Sequence, residues 1–115
     1  MPTLDDLLNG HCREYPKGSA ILNRSEVAER IPLVPNWELV HDGAGLRFSR
    51  RLDDFNAAID LVNKVAAVAE EEQHHPDIRV HGYRNVELDL STHSIGGLTD
   101  NDFIMAAKIN QLLES

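Results

Sequence analysis

Residues 53–69, DDFNAAIDLVNKVAAVA, constrain the fold more than any other part of this 115-residue chain. Apolar residues recur at Phe55, Ala58, Ile59, Val62, Val65, Ala66 and Ala69, the spacing of one face of a helix about five turns long. A helix with one apolar face must bury it against another surface, and the flanking sequence supplies one. On both sides the apolar period drops to strict alternation, the signature of half-buried strands. Trp37 to His41 reads as a strand, Asp42-Gly43 as a turn, and Leu46, Phe48 and Leu52 alternate with polar residues in a second strand. Downstream, Ile78 and Val80 alternate with Arg79 and His81, Gly82 to Asn85 can turn, and Val86, Leu88 and Leu90 alternate with Glu87, Asp89 and Ser91. After a break at Gly96-Gly97, Thr99 with Asp102 caps a last helix whose apolar side carries Phe103, Ile104, Ala107, Ile109, Leu112 and Leu113. The order α, β-β-α-β-β-α predicts an α+β fold, a four-stranded antiparallel sheet with helices packed on one face.

Before Trp37 the chain is punctuated by Pro32, Pro35 and the loop-like stretch HCREYPKGS at residues 11–19. Two short helices fit this region. The second carries start signals, with Asn23 and Glu26 at capping-box spacing and Leu22 and Val27 placed as a hydrophobic staple, and it stops at Pro32. The expected organisation is one domain overall, with an N-terminal arm over residues 1–36 and an α+β domain over residues 37–115.

Nineteen acidic against eleven basic residues leave a formal charge of −8, which repels phosphate backbones and anionic lipid. Nucleic-acid and membrane-surface partners are therefore not expected; a small molecule or a protein is. No apolar run approaches the ~18 residues of a membrane span, and the N-terminus carries acids where a secretory signal carries bases. Cys12 is the only cysteine, so no internal disulfide and no CxxC motif exist, and a reducing, cytoplasmic setting fits. Its neighbour His11 does not make it a nucleophile, since adjacent residues rarely give nucleophile-base geometry.

The stretch EEEQHHPD at residues 70–77 closes the long helix in an unusual way. Pro76 disfavours helical geometry in its predecessor, so the helix ends at or before His75. The last turn exposes carbonyls and the negative end of the helix dipole, which suits histidine and makes three glutamates electrostatically misplaced. Broken local rules of this kind often mark functional sites. Glu70 lies four residues before His74, within reach on a helical surface. A third histidine, His93, follows the alternation of VELDLSTH, in which Val86, Leu88, Leu90 and Thr92 share one side and Glu87, Asp89, Ser91 and His93 the other. Three imidazoles can move protons near neutral pH. They can also bind zinc, but adjacent histidines point apart, and neither HExxH nor paired cysteines are present. Solvated surface residues are the plain alternative.

Taken together, Glu70-xxx-His74-His75-Pro76, Tyr83, His93 within LSTH, and GGLTDND ending at Asp102 closely resemble the signature of the pterin-4a-carbinolamine dehydratase family. Trp37, the strand LRFSRRL and the helix DFNAAIDLVNKVAAVAEE extend the resemblance over about residues 37–113. It implies a four-stranded antiparallel sheet with helices on one side, in agreement with the periodicity. It also implies dehydration of 4a-hydroxytetrahydropterin to quinonoid dihydropterin and water, with no cofactor or metal, in a homodimer or dimer of dimers. His74, His75 and His93 match the catalytic histidines, either His74 or His93 being the acid. Glu70, Gln73, Ser91, Thr92, Ser94 and Asp102 stand at positions that, by the resemblance, bind or orient the pterin. The chain departs from the pattern at Gln73, Ser94 and Asn101, and by one extra residue between His75 and the fourth strand. The resemblance leaves two alternatives: a non-catalytic scaffold partnering a transcription factor or Rubisco, and action on another pterin such as that of molybdenum cofactor metabolism.

Overall fold

A computed structural model describes residues 2–114. Its sheet holds β1 (Trp37–Val40), β2 (Gly45–Arg51), β3 (Asp77–His81) and β4 (Asn85–Leu90) in the order β1-β2-β4-β3, every neighbour antiparallel. The two hairpins thus meet along β2 and β4, with Leu46 opposite Leu90, Phe48 opposite Leu88 and Trp37 opposite Phe48. These side chains, with Val86, form the sheet's half of the core. Alternation sends Arg47, Ser49, Glu87 and Asp89 to the other face. There the Arg47 guanidinium donates to both carboxylate oxygens of Asp89, at 2.7 and 3.0 Å. The pair also offsets Asp77, which stands directly across the ladder from Asp89.

The first hairpin turns through a short 3-10 segment, His41–Gly43, in which His41 and Asp42 take left-handed backbone at φ 55°. The expected strand therefore ends at Val40, one residue early. The second hairpin turns at Gly82–Arg84, with Gly82 and Tyr83 both left-handed.

Helix α1 (Leu4–Asn9) starts at a Thr3–Asp6 capping box, and α2 (Arg24–Arg30) at the expected Asn23–Glu26 box. The latter gives way to a 3-10 turn, Ile31–Leu33, that contains Pro32. Leu7 of α1, Val27 of α2 and Val34 join the same core as the sheet. The long helix α3 (Phe55–Glu72) begins at Asp54, whose carboxylate accepts from the Ala57 amide. Its buried stripe is Ala58, Leu61, Val65, Ala69 and Glu72, rotated from the expected face. Leu61 is inside, Ile59 and Val62 are half-buried, and Phe55 and Ala66 are exposed. Helix α4 (Asp100–Glu114) contacts both α1 and α3 and is buried on all sides from Asn101 to Ala107. Trp37 Nε1 donates to Asn110, whose own amide donates to the Pro35 carbonyl, fastening β1 to α4.

The rotated stripe is testable. Leu61→Ala is expected to cost ~2–4 kcal/mol, as for other buried leucines, whereas Phe55→Ala costs under ~1 kcal/mol. Urea denaturation of the two variants measures the difference, and equal losses would place the stripe elsewhere.

Candidate active site

The site begins with the spacing of α3. Steps of three and four residues along Ala58, Leu61, Val65 and Ala69 bring position 72 onto the buried line, so the Glu72 carboxylate enters the interior with 2% of its side chain exposed. Burial alone would push that carboxyl upward. The Cys12 amide at 2.7 Å, His11 Nδ1 at 2.9 Å and Lys108 Nζ at 3.4 Å outweigh it and hold the group below its ordinary value. Glu72 thereby ties the arm to α3 and α4. The Cys12 thiol, seated beside it, is pushed up to about 12 by burial and by the nearby charges of Glu72 and Asp102. A thiol held protonated in this way is a poor nucleophile.

One residue later the chain changes direction. Gln73 takes left-handed backbone (φ 52°, ψ 41°), and the amides of Gln73 and His74 both donate to the Ala69 carbonyl. The helix therefore stops at Glu72, three residues short of the limit set by Pro76, and His74 leaves its surface. This corrects the expected pairing: Glu70 accepts from His75 Nε2 at 2.5 Å, and His74 Nε2 lies 2.7 Å from Asp102 Oδ1 instead.

Asp102 stands in the first turn of α4 with no exposed surface. Its second oxygen accepts from the Thr92 hydroxyl at 2.9 Å and the Thr99 amide at 3.0 Å, and the two threonine hydroxyls are 2.7 Å apart. Because a carboxylate brings no proton to the contact, His74 Nε2 is the donor. Nδ1 is then the ring nitrogen left to exchange a proton with a ligand.

His74 opens into a cleft of about 440 Å³. Gln73 and His74 form one side, Thr92 and Ser94 another, and the arm from Cys12 to Pro16 a third. Asn101 grips that arm: its side-chain oxygen accepts from the Arg13 amide at 3.0 Å and its nitrogen donates to the Arg13 carbonyl at 2.6 Å. Ser94 Oγ adds a bond to the Tyr15 carbonyl.

The other expected site residues fall into two groups. His93 and Ser91, 3.4 Å apart, border a smaller hollow with His41, Asp77 and Asp89. His93 lines that hollow, His74 lines the larger cleft, and His75 lines neither. The two cavities are nevertheless built from the same stretches of chain, because Gln73 and His74 face one and Asp77 the other, while Thr92 and Ser94 face one and Ser91 and His93 the other. Thr92 is buried and pointed at Asp102, which continues the alternation of β4 beyond its last ladder pair. His75 is exposed beside Glu70. Asp102, wholly enclosed, reaches the cleft only through the residues it holds there, His74 and Thr92. Sequence reasoning missed Glu72, Arg13, Tyr15 and the placement of Asn101. Only Glu72 carried a signal, its register with the apolar stripe. Among the described residues, no group of three or more His, Cys, Asp or Glu is placed to hold a metal ion, and no helix is long and apolar enough to cross a membrane.

Residues 20–112 match the family described as pterin 4 alpha carbinolamine dehydratase. A Xylella fastidiosa protein, provisionally named pterin-4-alpha-carbinolamine dehydratase, is 40% identical over 114 residues, 99% of this chain and 97% of its own. The Arabidopsis thaliana pterin-4-alpha-carbinolamine dehydratase 2, mitochondrial, is 47% identical over 93 residues, 79% of this chain and 50% of that protein. A crystal structure from Brucella melitensis, described as a transcriptional coactivator/pterin dehydratase, superposes with a TM-score of 0.74 at 31% identity, matching 81% of this chain and 98% of that one. The fold and these similarities define a pterin dehydratase. The chain belongs to the pterin-4a-carbinolamine dehydratase family, and the match begins inside the arm, before Trp37.

The Glu72 contacts make a pH dependence. Its folded-state carboxyl titrates below the ordinary 4.5, so the unfolded chain takes up the proton first as pH falls. The stabilisation is complete above that ordinary value and is lost as pH drops through the lower, folded one. Wild type is expected to lose urea stability between about pH 6 and pH 3 more steeply than Glu72→Gln. Asp89, held down chiefly by Arg47, contributes with the same sign and remains in the variant, so the slope is reduced and not abolished. Parallel slopes would remove Glu72 from this role.

Proposed function

We propose that this chain dehydrates 4a-hydroxytetrahydropterin to quinonoid dihydropterin and water by histidine acid-base catalysis. The observation that carries the reading is the His74–Asp102 pair, a buried carboxylate 2.7 Å from an imidazole that opens into a ligand-sized cleft, in a chain of this family. A cavity of about 440 Å³ lies within the range of small-molecule sites and accommodates a bicyclic heterocycle.

The reaction breaks the C4a–O bond and forms a double bond from C4a to the adjacent ring nitrogen. The departing oxygen gains a proton and leaves as water, the ring nitrogen loses one, and no electrons are exchanged with another reactant. His74 is suited to take the nitrogen's proton at Nδ1, because Asp102 fixes the Nε2–H tautomer and stabilises the imidazolium that forms. We assign to His93 the delivery of the other proton to the departing oxygen, and to His75, oriented by Glu70, a place beside the substrate, which requires the pterin to extend from the His74 cleft toward the hollow of His93. What supports the roles of His93 and His75 is their position on the two stretches of chain that also wall the His74 cleft. Tetrahydrobiopterin-derived carbinolamine is the substrate this reading assigns.

Turnover of freshly generated carbinolamine tests it. Wild type is expected to exceed the spontaneous rate, and His74→Ala and His93→Ala each to lose about 10²-fold or more in kcat. A wild-type rate equal to the spontaneous one would sink the enzymatic reading. A fully active His93→Ala would remove that residue alone.

A further inference from the structure

We propose that arm residues 13–16 are a substrate-binding wall added to the common fold, in which Arg13 recognises an acceptor oxygen of the pterin; this rests on reading the His74 cleft as a pterin site. Arg13, Tyr15 and Pro16 face the same cleft as His74 and Gln73. The segment is held in place at Cys12 by Glu72, at Arg13 by both ends of the Asn101 amide and at Tyr15 by Ser94. Every one of those bonds goes to main chain, so none occupies the side chains of Arg13 or Tyr15.

The Arg13 guanidinium lies over the Tyr15 ring, 4.1 Å from its centroid. Among the described residues it has no carboxylate within ion-pair distance, whereas Arg30 and Arg47 do. Among the described residues it is also the only lysine or arginine lining the cleft, in a chain of net charge −8. A planar cation with five N–H donors, stacked on an aromatic ring and left without an anion, suits a flat heterocycle bearing acceptor oxygen. Contact with the Tyr15 ring limits the guanidinium's freedom, which lowers the ordering cost of binding.

The bounds of the family match set this wall apart from the shared fold. The family match starts at residue 20, after the arm segment that lines the cleft. The Brucella structure uses 98% of its own chain to match 81% of this one, so about a fifth of this chain has no counterpart in it. The Xylella fastidiosa relative, matched over 99% of this chain, spans the arm as well.

The test uses the full-length protein, with 7,8-dihydrobiopterin binding followed by calorimetry beside carbinolamine turnover. Arg13→Ala is expected to weaken binding and raise KM about tenfold, the effect of one charge-assisted hydrogen bond, with kcat within about twofold of wild type. Arg13→Lys restores part of the loss, since it keeps the charge and lacks the fork. Asn101→Ala weakens binding similarly, and the double variant Arg13→Ala/Asn101→Ala is no worse than either alone, because the amide acts by placing Arg13. Wild-type Kd and KM in Arg13→Ala overturn the wall while leaving the catalytic reading intact. Strict additivity in the double variant, or losses found only where the melting temperature also falls, likewise overturn it. A wild type that neither binds nor turns over pterin sinks this inference together with the function it rests on.

Discussion

The carboxylate of Asp102 is shut away from water, where an ion without partners would cost several kcal/mol, so the chain must bring donors to it. They come from three places: His74 just past α3, Thr92 just past β4, and Thr99 immediately before α4. One charge therefore fixes how the ends of a helix and a strand meet the start of another helix. That junction is where the large cleft opens. Glu72 does the same a turn away, collecting the arm and Lys108. Among the described residues no buried side-chain nitrogen or oxygen lacks a partner.

The sheet was legible in the sequence because strand alternation has a period of two and the turns between strands carry Gly, Asp or Asn. The same alternation, carried two residues beyond the last ladder pair, correctly sent Thr92 inward and His93 outward. The helical period was read less well. A run rich in alanine and valine allows two adjacent faces, and only packing against the sheet selects the one with Leu61. The helix end was misread by a different route. Pro76 sets an outer limit, but the actual stop is a left-handed Gln73, a residue type with no strong claim to that conformation, imposed by the contacts of Glu72 and His74 on either side. That reversal decides which histidine meets which carboxylate, and local spacing alone pairs them wrongly. The arm's place beside the cleft depends on contacts sixty to ninety positions apart, such as Cys12 with Glu72 and Arg13 with Asn101, for which no sequence periodicity exists.

Histidine placement follows from the same economy of parts. His74 is half-buried and held by a carboxylate, which gives one tautomer and one orientation. His75 and His93 remain exposed and can exchange protons with water. Holding one imidazole fixed and leaving others wet suits the proposed dehydration, in which one proton is delivered and another removed.

The Asn101 amide grips Arg13 as a neighbouring strand would, donor to carbonyl and acceptor to amide. Main-chain groups are common to nearly all residue types, so this grip does not depend on the side chain displayed at position 13. Anchorage and chemistry are thereby uncoupled. Position 13 can therefore carry a different side chain, like a tool in a fixed holder, while the folded body beneath it stays unchanged.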